Sequence, residues 1–152
     1  MPANPCDVSD NEVRVGAHLF RWEAPDIGYI AYCGNLDGPT MGELSEQSRR
    51  FTLGQPCVFL LVDMTKAGKV TASARQQSAK GSTDINLRGI AVIGASTPLR
   101  LISGLVSRAV DLLNRNTDNP TRFFETEEEA RSWIATRRVL VRQMPAYHGT
   151  SP

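Results

Sequence analysis

Two unbroken apolar runs mark the centre of this chain. The first spans Val58–Met64, and the second, after a polar stretch, spans Gly89–Gly94. An unbroken apolar run has no side suited to water, so both runs predict neighbouring strands of a sheet that is covered on both faces. A helix-like segment follows each run. This β-α-β-α order predicts an α/β domain in which at least part of the sheet is parallel.

The residues before these runs predict that the sheet opens with an antiparallel hairpin. The segments Val13–Ala24 and Ile27–Cys33 are rich in β-branched and aromatic residues, and Pro25-Asp26 between them is typical of a turn. A short closing strand is expected at Thr121–Phe124. The prediction is therefore a single-domain α/β fold with a mixed β-sheet of about five strands and about four helices.

Helical spacing of apolar residues places those four helices along the chain. They are 37–53, ended by Gly54-Gln55-Pro56; 72–80, ended by Gly81; 98–113, opened by Pro98; and 127–138, opened by a capping box from Thr126 to Glu129. Residues 65–70 are predicted to form a loop. The helix over 72–80 is small and polar, so it would pack through its alanines and is the element most suited to wait for a partner.

Length and composition indicate one folded domain with polar ends. The chain has 152 residues, of which 41% are hydrophobic and 22% charged, as is usual for a domain with its own core. Residues 1–12 contain two prolines and show no periodicity, which predicts a disordered N-terminal arm. The α/β domain is expected over 13–138, and residues 139–152 are predicted to form a flexible C-terminal tail.

Charge and cysteine content bear on partners and location. A net charge of +1 provides no field that would gather nucleic acid or an anionic membrane, so no nucleic-acid partner is expected. No signal peptide or transmembrane-length apolar stretch is evident. The three cysteines are odd in number and widely spaced, which fits reduced thiols in the cytoplasm better than a disulfide framework.

No catalytic or metal-binding signature of comparable strength is found. Gly68-Lys69 lacks the upstream glycine of a phosphate-binding loop, because Asp63 stands in that place. The segment from Gly94 to Pro98 approaches a nucleophile elbow, but proline replaces its final glycine, so Ser96 or Thr97 is better explained as a helix cap. The two histidines are more than a hundred residues apart, and no metal or cofactor is expected.

The candidate site lies where open α/β sheets place their ligands, at the carboxyl edge of the central strands. Two helix N-termini with hydroxyls and cations nearby would suit an anion, including a phosphate placed covalently on Thr71 or Ser73. The candidate residues after the first central strand are Asp63, Thr65, Lys66, Lys69, Thr71, Ser73 and Arg75, and those after its neighbour are Ser96, Thr97 and Arg100.

The order of elements and three segments resemble the STAS domain of the sporulation anti-sigma factor antagonists. The resemblance is more particularly to the SpoIIAA-like family, whose fold is also likened to lipid-binding CRAL-TRIO domains. It covers residues 16–138, and its carriers are Val58–Met64, Gly89–Gly94 and Arg122–Ile134. In the antagonists an Asp-Ser-Ser-Gly motif carries the serine that a partner kinase phosphorylates. Here the equivalent stretch, from Val70 to Ala74, lacks the aspartate and the glycine and offers Thr71 or Ser73 as the target.

The resemblance implies a non-enzymatic, cytoplasmic, bacterial regulatory domain. We expect it to bind a partner protein through the surface of residues 65–80, under the control of phosphorylation. The alternative is a module that binds an apolar small molecule or lipid between the small helix and the sheet, as the second likeness implies. The exposed faces of a sheet that begins with a hairpin also offer a surface for a homodimer.

Overall fold

In the part of the chain that the structure describes, six strands lie side by side, in chain order, in one sheet. They are β1 (Glu12–Val15), β2 (His18–Glu23), β3 (Ile27–Leu36), β4 (Val58–Val70), β5 (Leu87–Ile93) and β6 (Thr121–Phe124). The helices are α1 (Gly38–Thr52), α2 (Ala72–Gly81) and α3 (Glu127–Gln143). This computed structural model describes residues 10–81, 84–96 and 119–144. The helix predicted over 98–113 and most of the two predicted ends therefore lie outside the described residues.

The sheet is mixed, as predicted. Strands β1, β2 and β3 pair antiparallel, whereas β3, β4, β5 and β6 pair parallel to one another. The α/β fold class is therefore confirmed. The four parallel strands point the same way, but β5 ends opposite Asp63 while β4 continues to Val70. The segment after β5 therefore meets β4 at Thr65, within the strand.

The two central runs are buried on both faces of the sheet, as their apolar composition predicts. Alternate residues of β4 and β5 pack on opposite sides. The side covered by α1 and α2 includes Phe20, Tyr32, Leu36, Met41, Leu44, Val62, Ala74 and Val92. The side covered by α3 includes Phe59, Leu61, Ala91, Ile93, Ala130 and Ile134.

The described part of the sheet has six strands where about five were predicted, because the expected first strand is divided. Gly16 has a positive φ of 59° and turns the chain between β1 and β2, which then pair antiparallel. Glycine reaches this left-handed backbone region without steric cost, so the break occurs there and not elsewhere in the apolar segment. The pairing buries Val13 and Val15 beside Phe20 in the core.

The predicted loop over residues 65–70 is wrong, because β4 continues through Val70. Residues 65–70 of β4 are called the β4 extension below. β3 extends to Leu36 and pairs with it, with Cys33 opposite Lys66 and Leu36 opposite Val70. Two register shifts accommodate extra residues in β4, as β-bulges do. The Asn35 side chain supports the extension, since its Oδ1 accepts a hydrogen bond from the Lys69 N–H at 2.9 Å.

Capping side chains stand at the starts of α1 and α3, and the cap at Thr126 is the one that the sequence predicted. Asp37 Oδ1 accepts from the Thr40 N–H at 2.8 Å at the start of α1, and Thr126 Oγ1 accepts from the Glu129 N–H at 3.2 Å at the start of α3. α3 ends at Gln143 and not at Arg138 as predicted. Within the described residues, no helix is long and apolar enough to cross a membrane.

Two ion pairs hold α3 against the hairpin formed by β2 and β3. Arg138 donates to both carboxylate oxygens of Asp26 at 2.7 and 2.8 Å, and Asp26 is buried. Arg131 donates to both oxygens of Glu23 at 2.8 and 2.9 Å. Hydrogen-bonded pairs of this kind orient the helix as well as attract it.

Candidate functional site

Asp63 and Thr65 form the first part of the candidate site, where β4 passes the end of β5. Asp63 Oδ1 accepts hydrogen bonds from the Thr65 backbone N–H at 2.9 Å and from the Thr65 hydroxyl. The Tyr29 hydroxyl donates to the other carboxylate oxygen at 3.4 Å. Burial raises the pKa of Tyr29, and the charge of Asp63 raises that pKa further. Asp63 therefore serves as a local hydrogen-bond acceptor for Thr65 and Tyr29.

The chain after β5 turns directly onto Thr65. Gly94 has a φ of 71°, and a Cβ placed on it would lie 2.7 Å from both the N and the Cα of Thr65. Glycine is therefore required by the backbone angle and by the close approach. Ser96 lies two residues further on and is exposed. Thr97 and Arg100, the last candidates after β5, lie outside the described residues.

Thr71, Ser73 and Arg75 gather at the start of α2. Thr71 Oγ1 accepts from the Ala74 N–H at 3.1 Å, so Thr71 caps the helix. Arg75 Nη1 donates to the Val70 carbonyl at 3.0 Å, which ties α2 back to the end of β4. Both Thr71 and Ser73 are exposed.

The Ser73 hydroxyl faces the first turn of α1. A Cβ added to Gly38 would lie only 1.9 Å from Ser73 Oγ, so the hydroxyl occupies the space that a larger residue would need. Two more small-residue contacts continue along the helix pair, because added Cβ atoms on Gly42 and Gly81 would meet Gln77 and Ser45, respectively. α1 and α2 therefore pack closely along one line of small residues.

α2 buries little apolar surface against the sheet. Ala74 is its one buried residue among those the structure describes, and it contributes only a methyl group to the core. The predicted packing through alanines thus holds for Ala74, whereas Ser73, Gln77 and Gly81 make the contacts with α1. An element with so little buried apolar area is expected to open at a low free-energy cost.

An anion site needs positive charge, but a negatively charged residue, Asp37, lies where the starts of α1 and α2 meet. The Asp37 carboxylate sits beside Gly38 and accepts from Thr40, and those hydrogen bonds lower its pKa. Asp37 is therefore charged at neutral pH, so the junction already holds an anion. Lys66 and Lys69 are exposed on the β4 extension. The structure thus places Thr65, Lys66 and Lys69 on β4, and Thr71, Ser73 and Arg75 at the start of α2.

Sequence reasoning did not find Tyr29, Asn35 and Gly38. Tyr29 reaches Asp63 only because β3 and β4 pair with Tyr29 opposite Leu61. Asn35 and Gly38 act through residues more than thirty positions away, so no local pattern could connect them to the site. The one available hint was the Asn-Leu-Asp-Gly segment at 35–38, whose composition is typical of a turn and a helix cap.

A small cavity lies between α1, α2 and the sheet, where the alternative prediction places an apolar ligand. Its volume is about 60 Å³, and its apolar lining includes Phe20, Ile30, Met41, Leu44 and Leu60. Pockets that bind drug-sized ligands measure roughly 300–1,000 Å³. In this conformation the cavity is therefore too small for a lipid. Separately, no group of three or more His, Cys, Asp or Glu within 10–81, 84–96 and 119–144 could hold a metal ion.

Comparisons with known proteins define the fold. No protein-family model matches this chain, and no curated protein matches it. Its structure is similar to that of an uncharacterized protein from the DUF3478 family with a SpoIIAA-like fold from Shewanella loihica PV-4. The match has a TM-score of 0.50 and 15% sequence identity, and it covers 75% of this chain and 89% of the other. This chain therefore has the SpoIIAA-like fold.

Proposed function

We propose that this protein is a non-enzymatic, cytoplasmic regulatory domain that binds a partner protein through residues 65–80, the 65–80 surface. The observation that carries the proposal is the exposure of this segment. Seven of the nine residues from Thr65 to Ser73 are exposed, although they belong to a paired strand and a helix start and not to a loop. A polar segment that is both exposed and held in a regular conformation is suited to recognition by another protein.

Ser73 is the position at which a phosphoryl group would change this surface most. Its hydroxyl already fills the gap beside Gly38, so the added group would have to move the start of α1 or swing outward. The charged Asp37 next to Gly38 would also repel it. A phosphoryl group on Thr71 would instead remain a helix-capping acceptor, which the helix dipole favours. Phosphorylation of Ser73 would thus loosen the contact between α1 and α2.

The test replaces Thr71 or Ser73 by glutamate and measures complex formation in a pull-down from the native host. We expect Ser73→Glu to change the recovered complex about tenfold, and Thr71→Glu to have a smaller effect, because only Ser73 lies against α1. Ser132→Glu is the matched control, since it adds the same charge at an exposed position of α3, on the opposite face of the sheet. An unchanged complex with both variants would count against the proposal.

The cavity beneath α2 supports a second candidate function, the binding of an apolar small molecule or lipid. Because α2 buries only Ala74, its outward movement could enlarge the cavity lined by Phe20, Met41 and Leu44. This hypothesis predicts that native mass spectrometry of the protein from its own host will show co-purified apolar mass, and that Leu44→Trp, which fills the cavity, will remove it. A protein that is empty in repeated preparations would exclude this function.

A further inference from the structure

The β4 extension has a backbone edge that no described strand covers. The ladder between β4 and β5 ends where Asp63 pairs with Ile93. β4 then continues to Val70, pairing only with β3 among the strands of the described residues. Among residues 10–81, 84–96 and 119–144, the side of the extension that faces away from β3 is therefore an edge with exposed residues along it. Such an edge is a template for pairing with another chain.

The hydrogen bonds of the extension show which groups face this edge. The N–H groups of Lys69 and Thr71 both point towards β3, where they donate to Asn35 Oδ1 at 2.9 Å and to the Leu36 carbonyl at 3.1 Å. Successive backbone groups of a strand alternate in direction, so the groups of Val70 between them point to the uncovered side. The Val70 carbonyl there accepts from the Arg75 guanidinium. Arg75 thus supplies one donor that a neighbouring strand would otherwise supply.

The charges along the edge indicate what would pair with it. Lys66 and Lys69 are exposed on the extension, and the Arg75 guanidinium stands at its end. A second copy of this edge is a poor partner, because pairing would bring the lysines of both copies together, and lysine on an edge strand discourages such self-association. An extended segment with acidic side chains would satisfy the backbone groups and attract the three cations.

We propose that the partner docks an acidic, extended peptide segment on this edge as an added strand beside Lys66–Val70. This inference rests on the proposed function, because it specifies how the 65–80 surface would recognise its partner. Main-chain hydrogen bonds to the edge would supply affinity, and the contacts to Lys66, Lys69 and Arg75 would select an acidic sequence. The Arg75 guanidinium would exchange its bond to the Val70 carbonyl for a carboxylate of the peptide.

The experiment uses the full chain and a synthetic capped heptapeptide in which threonine and glutamate alternate. In the free protein we expect fast hydrogen exchange at the Val70 amide. At a peptide concentration of about ten times Kd, this exchange should slow about tenfold. Lys66→Glu together with Lys69→Glu should weaken binding about tenfold or more. Arg14→Glu, at an exposed residue of β1, is the matched control and should bind as the parent does. A peptide with lysine in place of glutamate should not bind.

Strand addition has a second, backbone-specific consequence. Only every other N–H of the added peptide points towards the protein, so methylating the amides of the glutamates and methylating those of the threonines should have opposite results. One of the two methylated peptides should lose binding, and the other should keep most of it. Equal binding of the two methylated peptides would overturn strand addition. Slow hydrogen exchange at the Val70 amide in the free protein would overturn it as well.

The outcomes separate this inference from the proposed function. If the peptide slows hydrogen exchange only in α2 and not at the Val70 amide, strand addition is overturned, and the 65–80 surface remains the proposed partner site. If neither the peptide with glutamate nor the peptide with lysine binds, the acidic-strand inference is overturned. The pull-down with Ser73→Glu would still test the regulatory function. Conversely, slowed hydrogen exchange at the Val70 amide, together with unchanged recovery of the complex with Ser73→Glu, would support strand addition and count against the phosphorylation switch.

Discussion

Replacing Phe59 by alanine is expected to lower the free energy of unfolding by about 4 kcal/mol. Phe59 is fully buried on the α3 face of the sheet. A Cβ added to Gly89 would lie 3.2 Å from the Phe59 ring and 3.2 Å from Trp133, so the backbone and α3 already enclose the site tightly. A close-packed core does not collapse around a lost ring, and a cavity remains. Urea unfolding monitored by circular dichroism would measure the loss.

Val139→Ala is the matched control for this prediction. It removes two methyl groups from a side chain that is 54% exposed on α3, so the free energy of unfolding should change by less than about 0.5 kcal/mol. A similar loss in both variants would contradict the assignment of Phe59 to the core. A much smaller loss for Phe59→Ala would mean that α3 settles into the vacated space.

Gly94→Ala is expected to cost about 3 kcal/mol of folding free energy, from two sources. The φ of 71° is a left-handed conformation that disfavours any residue with a Cβ. In addition, the new Cβ would lie 2.7 Å from the backbone of Thr65, so the segment after β5 or the β4 extension would have to shift. The displacement should also disturb the hydrogen bonds between Thr65 and Asp63, which two-dimensional NMR would report.

Gly54→Ala separates the cost of the left-handed backbone angle from the cost of the steric clash. Gly54 has a φ of 81°, but no atom lies within 4 Å of a Cβ added there, so only the conformational cost of about 1 kcal/mol applies. The difference between the variants measures the clash with Thr65. Adding Thr65→Ala to Gly94→Ala should restore little, because the N and Cα of Thr65 remain. Equal losses for Gly94→Ala and Gly54→Ala would show that the contact with Thr65 is not tight.

The sequence predicts a region for the candidate site but not the contacts within it. The rule that ligand sites lie at the carboxyl edge of parallel strands named Asp63, Thr65 and the start of α2 as candidates. The structure spreads them along β4, with Asp63 and Thr65 beside the end of β5 and the start of α2 beyond Val70. Which side chains touch within that region depends on strand register. The hydrogen bond between Tyr29 and Asp63 and the contact between Ser73 and Gly38 both join residues more than thirty positions apart. No local pattern in the chain encodes such pairs.

The sequence alone determined the α/β class, the buried central strands and the capped start of α3. These features rest on neighbouring residues: the unbroken apolar runs, and the Thr126 side chain that accepts a hydrogen bond from the next helical turn. The tertiary structure decided the β4 extension. Its residues include Lys66, Gly68 and Lys69, a composition typical of a loop, and they become a strand only because β3 and Asn35 supply partners for their backbone. Pairing between distant segments overrides local preference where it satisfies backbone hydrogen bonds.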